Sequence, residues 1–194
     1  YKDYIIYSTT HGEVFFIKTD TMQAVNVCID YNKKFNTKNP ILIYKNYIII
    51  TSDSETICIE QNIDEKNGND TFNVRWAVSI GSTHKLLIYE NMLCIINNEG
   101  INIFDINTGA KKYNIIIPIK FNIIEILYNI IIIINTNGDI ICIDLKNKVS
   151  SKIQLDVLKN HDHHQIYLYN KKYYLLSNDI NNELNLFHIN CLYN

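Results

Sequence analysis

The residues of this sequence that could do chemistry fall into three groups, and the first is a histidine cluster. His161-Asp162-His163-His164 combines imidazole and carboxylate groups, which suit zinc or nickel. Adjacent side chains point in different directions, so at most two of the four residues could share one ion. The cluster also lies between two sequence repeats, where a charged loop is expected. We therefore interpret it as a solvated loop and predict no metal site.

The second group consists of three carboxylates, Glu60, Asp105 and Asp144. They recur at one position of a repeated segment, each at the end of an apolar run. Carboxylates at such positions accept hydrogen bonds from the turn that follows. We interpret them as turn acceptors and not as a catalytic pair. The sequence contains no Gly-x-Ser-x-Gly elbow, phosphate loop or dinucleotide fingerprint, so we predict no catalytic and no cofactor-binding residue.

The third group is the set of five cysteines, which are scattered along the chain with no CxxC pair. They are Cys28, Cys58, Cys94, Cys142 and Cys191. This spacing favours free thiols that pack as small hydrophobic side chains inside sheets. Disulfides between some of them stay open as the alternative in an oxidising compartment.

The elements that must position these residues repeat along the whole chain. Four anchor tyrosines, Tyr44, Tyr89, Tyr128 and Tyr169, lie 45, 39 and 41 residues apart. Each anchor precedes an apolar run, a small polar turn and a second run that closes on a polar residue. A period near 40 residues with four short strands is typical of β-propeller blades, which bury their faces only by stacking. The units are approximately 1–30, 41–80, 86–118, 122–157 and 164–194.

The pattern within the units predicts an all-β chain, because the runs are rich in β-branched and aromatic residues and are bounded by turn residues. We expect the residues between Gln61 and Thr71 to form a solvated loop. The predicted strands are 41–44, 47–52, 55–60 and 73–79; 86–89, 92–97, 100–104 and 112–117; 123–127, 130–135, 139–144 and 149–155; and 165–169, 172–177 and 183–188. We predict one domain over residues 1–194, an incomplete or irregular propeller of about five four-stranded blades, from a longer protein.

Composition excludes several classes of function. The chain has 194 residues, is 47% hydrophobic and carries a formal net charge of −2, so it suits a packed core. No cluster of basic residues suits nucleic acid or an anionic membrane surface. The longest apolar run, Ile130 to Ile134, is far shorter than the ~20 residues of a membrane helix. We predict neither nucleic-acid binding nor a membrane span in this chain.

One repeat carries a family motif. Asp105-x-x-Thr108-Gly109 followed by three residues and the aromatic Tyr113 resembles the repeat of quinoprotein-like, or PQQ-type, β-propellers. Other units keep parts of this repeat, namely Trp76, Gly100, Gly138 and Asp144. The chemistry of the quinoprotein dehydrogenases is not expected, because the resemblance implies an eight-bladed ring that holds the quinone over a Trp floor, under a disulfide between adjacent cysteines and beside a calcium. This chain has one Trp and no adjacent cysteines, so no cofactor is predicted.

Within that family the chain is similar to the luminal domains of PERK-type endoplasmic-reticulum stress kinases. The similar segments are Ile5 to Gly12 and Trp76 to Ser82. The resemblance implies a non-enzymatic sensing and dimerisation domain in the endoplasmic-reticulum lumen, the regulatory part of a Ser/Thr protein kinase. Its partners would be a second copy and unfolded or extended peptides. The alternative is a cytoplasmic WD-like propeller that acts as a scaffold in a multiprotein complex.

A propeller that does not close leaves strand edges unpaired, and such edges invite pairing with another chain. We predict that the pairing strand is Tyr4 to Ser8 or Glu183 to His188. The corresponding residues to test are Ile6 and Leu186.

Overall fold

The structure is a computed structural model, and the segments that it describes contain β-strands and no helix. They cover residues 3–9, 13–28, 39–63, 70–117, 121–127, 129–135, 139–147, 149–154, 161–170, 172–179 and 184–189. In these segments no helix is long and apolar enough to cross a bilayer.

The strands form five antiparallel sheets in chain order, which confirms the predicted all-β, propeller-type fold. The first sheet contains β1 (Tyr4–Ser8), β2 (Glu13–Lys18) and β3 (Ala24–Cys28). The second contains β4 (Leu42–Tyr44), β5 (Tyr47–Thr51), β6 (Thr56–Ile63) and β7 (Asp70–Val78). The third contains β8 (Leu87–Tyr89), β9 (Met92–Asn97), β10 (Gly100–Asp105) and β11 (Lys111–Ile116). The fourth contains β12 (Phe121–Leu127), β13 (Ile130–Asn135), β14 (Asp139–Asp144) and β15 (Val149–Gln154). The fifth contains β16 (His161–Tyr169), β17 (Lys172–Asp179) and β18 (Leu184–Ile189).

The predicted loop between the third and fourth strands of the second sheet is wrong at both of its ends. β6 continues to Ile63, and Gln61 pairs with Phe72 while Ile63 pairs with Asp70. Burial explains the extension, because Gln61 is buried and its amide donates to the Asp70 carboxylate at 2.6 Å. The middle of the predicted loop, residues 64–69, lies outside the described segments.

The chain divides into two compact units, Tyr1–Ile116 and Ile117–Asn194. The prediction of one domain that belongs to a longer protein stays a prediction. In the first unit, one core cluster joins the first sheet to the second. It contains Tyr4, Val14, Phe16 and Val27 from the first sheet and Ile48, Ile50, Ile57, Ile59 and Phe72 from the second.

The rings at the centre of this cluster fix how the two sheets meet. Phe16 stacks on Phe72 with ring centroids 3.8 Å apart, and Tyr4 meets the edge of the same ring at 5.1 Å. Burial, followed by a hydrogen bond to Asp70, raises the pKa of Tyr4 to about 12. The first sheet thus buries one face against the second sheet.

The opposite face of the second sheet packs on the third sheet. This cluster contains Tyr47, Ile49, Cys58 and Trp76 from the second sheet and Leu93, Ile95, Phe104 and Ile106 from the third and its turn, with Leu86 beside them. The strand β5 is therefore apolar on both faces, as a strand between two stacked sheets must be, and most side chains of β9 and β10 are buried.

The fourth sheet, in the second unit, also contains a strand that is buried on both faces. The run Ile130 to Ile134 is fully strand and fully buried, and it pairs with β14, whose Ile140 and Cys142 are also buried. In the fifth sheet, Leu175 and Ser177 of β17 are buried.

Candidate protein-interaction surfaces

Three of the predicted motif residues form one turn at the end of β10. The Asp105 carboxylate accepts hydrogen bonds from the Asn107 and Thr108 N–H groups at 3.0 and 3.1 Å and from the Thr108 hydroxyl at 3.2 Å. The Gly109 N–H donates to the Asp105 carbonyl at 2.8 Å, and Gly109 has a φ of 69°. Gly109, which has no side chain, therefore lies on the outer surface of this turn.

Trp76 of the second sheet packs on that glycine. A Cβ atom added at Gly109 would lie 2.7 Å from Cγ and 2.8 Å from Cδ2 of the indole. The indole N–H donates to the Ile106 carbonyl at 3.0 Å. The indole therefore contacts the third sheet and its turn both through its ring carbons and through its N–H group. The predicted motif residues Trp76 and Gly109 are therefore brought together as a structural contact between neighbouring sheets.

Arg75, which the sequence interpretation missed, and the anchor tyrosine Tyr44 tighten the same junction. Arg75 donates to the Asn107 carbonyl and to the Glu60 carboxylate, both at 2.6 Å, and its guanidinium lies over the Tyr47 ring. The hydroxyl of Tyr44 donates to the Glu90 carbonyl at 2.9 Å. The signal for Arg75 was its position, since it is the single arginine of the chain and precedes the single tryptophan.

The other predicted motif residues are placed as follows. Asp144 caps its turn as Asp105 does, because it accepts from the Lys146 and Asn147 N–H groups and from the Asn129 side chain at 2.8 to 3.0 Å. Gly100 opens β10 with a φ of 135°, and Tyr113 lies in β11 opposite Ile103. Gly138 lies outside the described residues.

Glu60 differs from the turn acceptor that was predicted. β6 runs past it, so no turn follows, and its carboxylate instead accepts from the Asn46 side chain at 3.1 Å and from Arg75. The carboxylate thus takes part in the junction with the third sheet and not in a hairpin turn.

The histidine cluster is a second correction, because it does not form an inter-blade loop. His161 to His164 open β16 and pair with Ser177 to Asp179 across a bulge. Among the side chains that the structure describes, no group of three or more metal-ligating residues converges.

The cysteines divide into two kinds. Cys58 and Cys94 are free and fully buried, and burial raises the pKa of each thiol to about 12, so both stay protonated at neutral pH. Cys142 is disulfide-bonded, so the free-thiol interpretation is wrong for this cysteine and the disulfide alternative holds there. The side chains of Cys28 and Cys191 lie outside the described part.

The first sheet has an apolar outer face that is partly exposed. Ile5 pairs with Ile17 and Tyr7 pairs with Phe15, so these four side chains share the face opposite to the core. Ile5 is 52% and Tyr7 42% exposed, and the Tyr7 and Phe15 rings stack at 5.0 Å. Ile6, the residue predicted for edge pairing, packs on the core cluster instead.

The fifth sheet has a comparable outer face. Leu184 and Leu186 of β18 are 69% and 64% exposed. Leu186 pairs with Leu176 of β17, which lies on the same face. In the described residues β1 and β18 each pair with one strand, so both lie at sheet edges. We call these two surfaces the first outer face (Ile5, Tyr7, Phe15, Ile17) and the fifth outer face (Leu176, Leu184, Leu186).

Comparisons with known proteins support the fold. The chain is similar to BamB from Moraxella catarrhalis, with a TM-score of 0.62 and 16% identity over 95% of this chain and 61% of that chain. It is similar to BBS1N, solved in complex with ARL6DN, with a TM-score of 0.62 and 13% identity over 98% and 58%. It is also similar to the computationally designed Ika8 protein, with a TM-score of 0.63 and 12% identity over 96% and 56%.

The chain thus spans about three fifths of the length of these structures. A scan against protein-family models and a search of curated protein sequences gave no match. The structural similarities support a β-propeller-type fold.

Replacing Gly109 with Ala should disrupt the junction between the second and third sheets. The left-handed backbone alone is expected to cost about 1–3 kcal/mol, and the added methyl group collides with the indole. Urea unfolding should show the lower stability, and the emission of Trp76 should shift to the red. Lys111→Ala, an exposed change next to the turn, is the matched control. Equal unfolding midpoints for the two variants would contradict the contact.

The turn capped by Asp105 predicts a pH dependence. Burial alone would raise the pKa of this carboxyl, but hydrogen bonds from Lys112, Asn107 and Thr108 together lower the pKa below its usual 3.8. The ionised form therefore favours folding, and its contribution is present above pH 3.8 and lost as the pH falls through the folded value.

Asp105→Asn should accordingly reduce the free energy of unfolding most near neutral pH. The difference from the wild-type protein should shrink below a pH of about 4. Urea titrations at several pH values measure this difference. A difference that stays constant from pH 7 to pH 3 would show that the charge of Asp105 does not stabilise the turn.

Proposed function

We propose that this chain is a non-enzymatic β-propeller domain that binds other proteins. The observation that carries the proposal is the pair of apolar outer faces on the first and fifth sheets. Exposed apolar surface of this kind marks protein-binding sites, and both faces border sheet edges that can accept another strand. The carboxylates and buried thiols described above are occupied in packing and turns, which leaves these surfaces as the place for recognition.

More specifically, we propose the luminal sensing and dimerisation domain of a PERK-type endoplasmic-reticulum stress kinase. The domain would be the regulatory part of a Ser/Thr protein kinase and would recognise a second copy and unfolded or extended peptides. The degenerate quinoprotein-like repeat supports this proposal. So does the disulfide at Cys142, because disulfides persist in oxidising compartments such as the endoplasmic-reticulum lumen and are rare in the cytosol.

A cytoplasmic scaffold is the second candidate. One observation favours it, namely that a propeller-fold neighbour, BBS1N, was solved in complex with another protein, ARL6DN. A scaffold would use its surfaces for unlike partners and would not need to associate with itself. The two candidates therefore differ in self-association and in the oxidation state of Cys142.

The first test is the molar mass of the domain by light scattering behind a sizing column, over a dilution series. The sensor proposal predicts reversible self-association to a dimer at least, with a mass that rises from 22.7 kDa to twice that value or more as concentration increases. Mass action makes such an equilibrium concentration-dependent. A mass of 22.7 kDa at every concentration would favour the scaffold.

The second test is the oxidation state of Cys142 in protein taken from cells whose free thiols are alkylated at lysis. The luminal proposal predicts that the peptide containing Cys142 is protected until a reductant is added. Cys58 and Cys94 serve as internal controls, because they are free and become alkylated after unfolding without reduction. Full alkylation of Cys142 without reductant would contradict a luminal location.

A further inference from the structure

Sheets in this chain recognise one another through apolar faces. The first sheet uses Phe16 and its neighbours against Phe72, and the second sheet uses its opposite face against the third. Each junction combines branched aliphatic side chains with at least one aromatic ring. Any uncovered face with this composition is therefore suited to another sheet of the same kind.

The first outer face has this composition and an acidic rim. Ile5, Tyr7, Phe15 and Ile17 alternate along β1 and β2, and the Tyr7 and Phe15 rings are stacked. Glu13 lies on the same face by the alternation of β2, where it accepts from the Asn26 amide at 3.4 Å. No other charged side chain of β1 or β2 points to this face, because Lys18 alternates to the opposite one.

The fifth outer face has leucines at its centre and a basic rim. Leu184, Leu186 and Leu176 share it with Tyr174, whose ring lies 5.3 Å from that of His188. Lys172 and His188 are exposed on the same side of β17 and β18. The charge of this rim is thus opposite to that of the first outer face.

We infer that the first outer face of one copy docks on the fifth outer face of a second copy. Charge decides the arrangement, because this pairing opposes Glu13 to Lys172, whereas like faces would oppose Glu13 to Glu13 or Lys172 to Lys172. The inference rests on the self-association in the proposed function and specifies which surfaces associate.

The area of each face sets the expected strength of the association between two copies. A strand of five residues is about 17 Å long and three strands span about 14 Å, so one face offers roughly 240 Å². A standard stable interface buries about 800 Å² per partner. The contact should therefore be weak and reversible. Because the two faces differ, the association is heterologous, and a copy that has docked still presents one free face.

The geometry gives a complementation test with two variants. Tyr7→Lys places a cation on the first outer face, opposite Lys172 of the partner copy. Leu186→Asp places an anion among the apolar side chains of the fifth outer face, which the apolar first outer face of the partner copy must cover. Each variant alone keeps only one usable face, so each should stay at 22.7 kDa at concentrations where the wild-type chain associates.

A mixture of the two variants should associate again, because the fifth outer face of the first variant and the first outer face of the second are intact. With one variant fluorescently labelled, sedimentation velocity should show its mass rise about two-fold and stop at the dimer, since no usable face remains. Ile116→Asp, which changes a residue 74% exposed on β11 and on neither face, is the control and should associate like the wild type.

The outcomes separate this inference from the proposed function. Thermal unfolding followed by far-ultraviolet circular dichroism, which reports on the strands of the whole chain, first establishes that both variants fold. Variants that associate like the wild type, or a mixture that stays monomeric, would overturn the docking of unlike faces while the self-association stands. A wild-type chain that is monomeric throughout would overturn both the inference and the dimerisation that was proposed.

Discussion

The contact between the Trp76 indole and Gly109 is the constraint on which the packing of the second and third sheets depends. The indole can lie on the turn only because Gly109 has no side chain and adopts a positive φ. The turn keeps that conformation because the Asp105 carboxylate accepts two backbone N–H groups and one hydroxyl. The Asp105-x-x-Thr108-Gly109 motif therefore positions the third sheet against the second.

Stacking also explains the distribution of polar groups. Strands such as β5 and β13 are apolar on both faces, so neither sheet could be stable in water without neighbours. Polar side chains lie at the strand ends, where they form hydrogen bonds in the turns. The Asp144 carboxylate, for example, accepts a hydrogen bond from the Asn129 side chain. In the first unit the core is thus continuous through the first three sheets. A sheet with only one neighbour must leave an apolar face exposed.

The pattern of apolar and turn residues predicted those features of the fold that depend on residues close together in the sequence. The strands of the second, third and fourth sheets and the capped turn at Asp105 follow from alternation and from turn residues. The extension of β6 depended on the burial of Gln61 by distant residues, and the pairing of His161 with Asp179 depended on a long-range register. In β1, Ile5, Ile6 and Tyr7 are all apolar, so sequence could not tell that Ile6 faces the core.

The form of the exposed surfaces argues for recognition of another protein and against a small ligand. Small molecules are held in concave sites where a few polar groups converge, whereas the first and fifth outer faces are sheet surfaces that present apolar and aromatic side chains such as Tyr7 and Leu186. Burial of such a face stabilises a complex. Because the hydrophobic effect is non-directional, it does not by itself select one orientation of the partner. Specificity must then come from the rims, where Glu13 and Lys172 give the two faces opposite charge, and this asymmetry favours unlike faces over like ones.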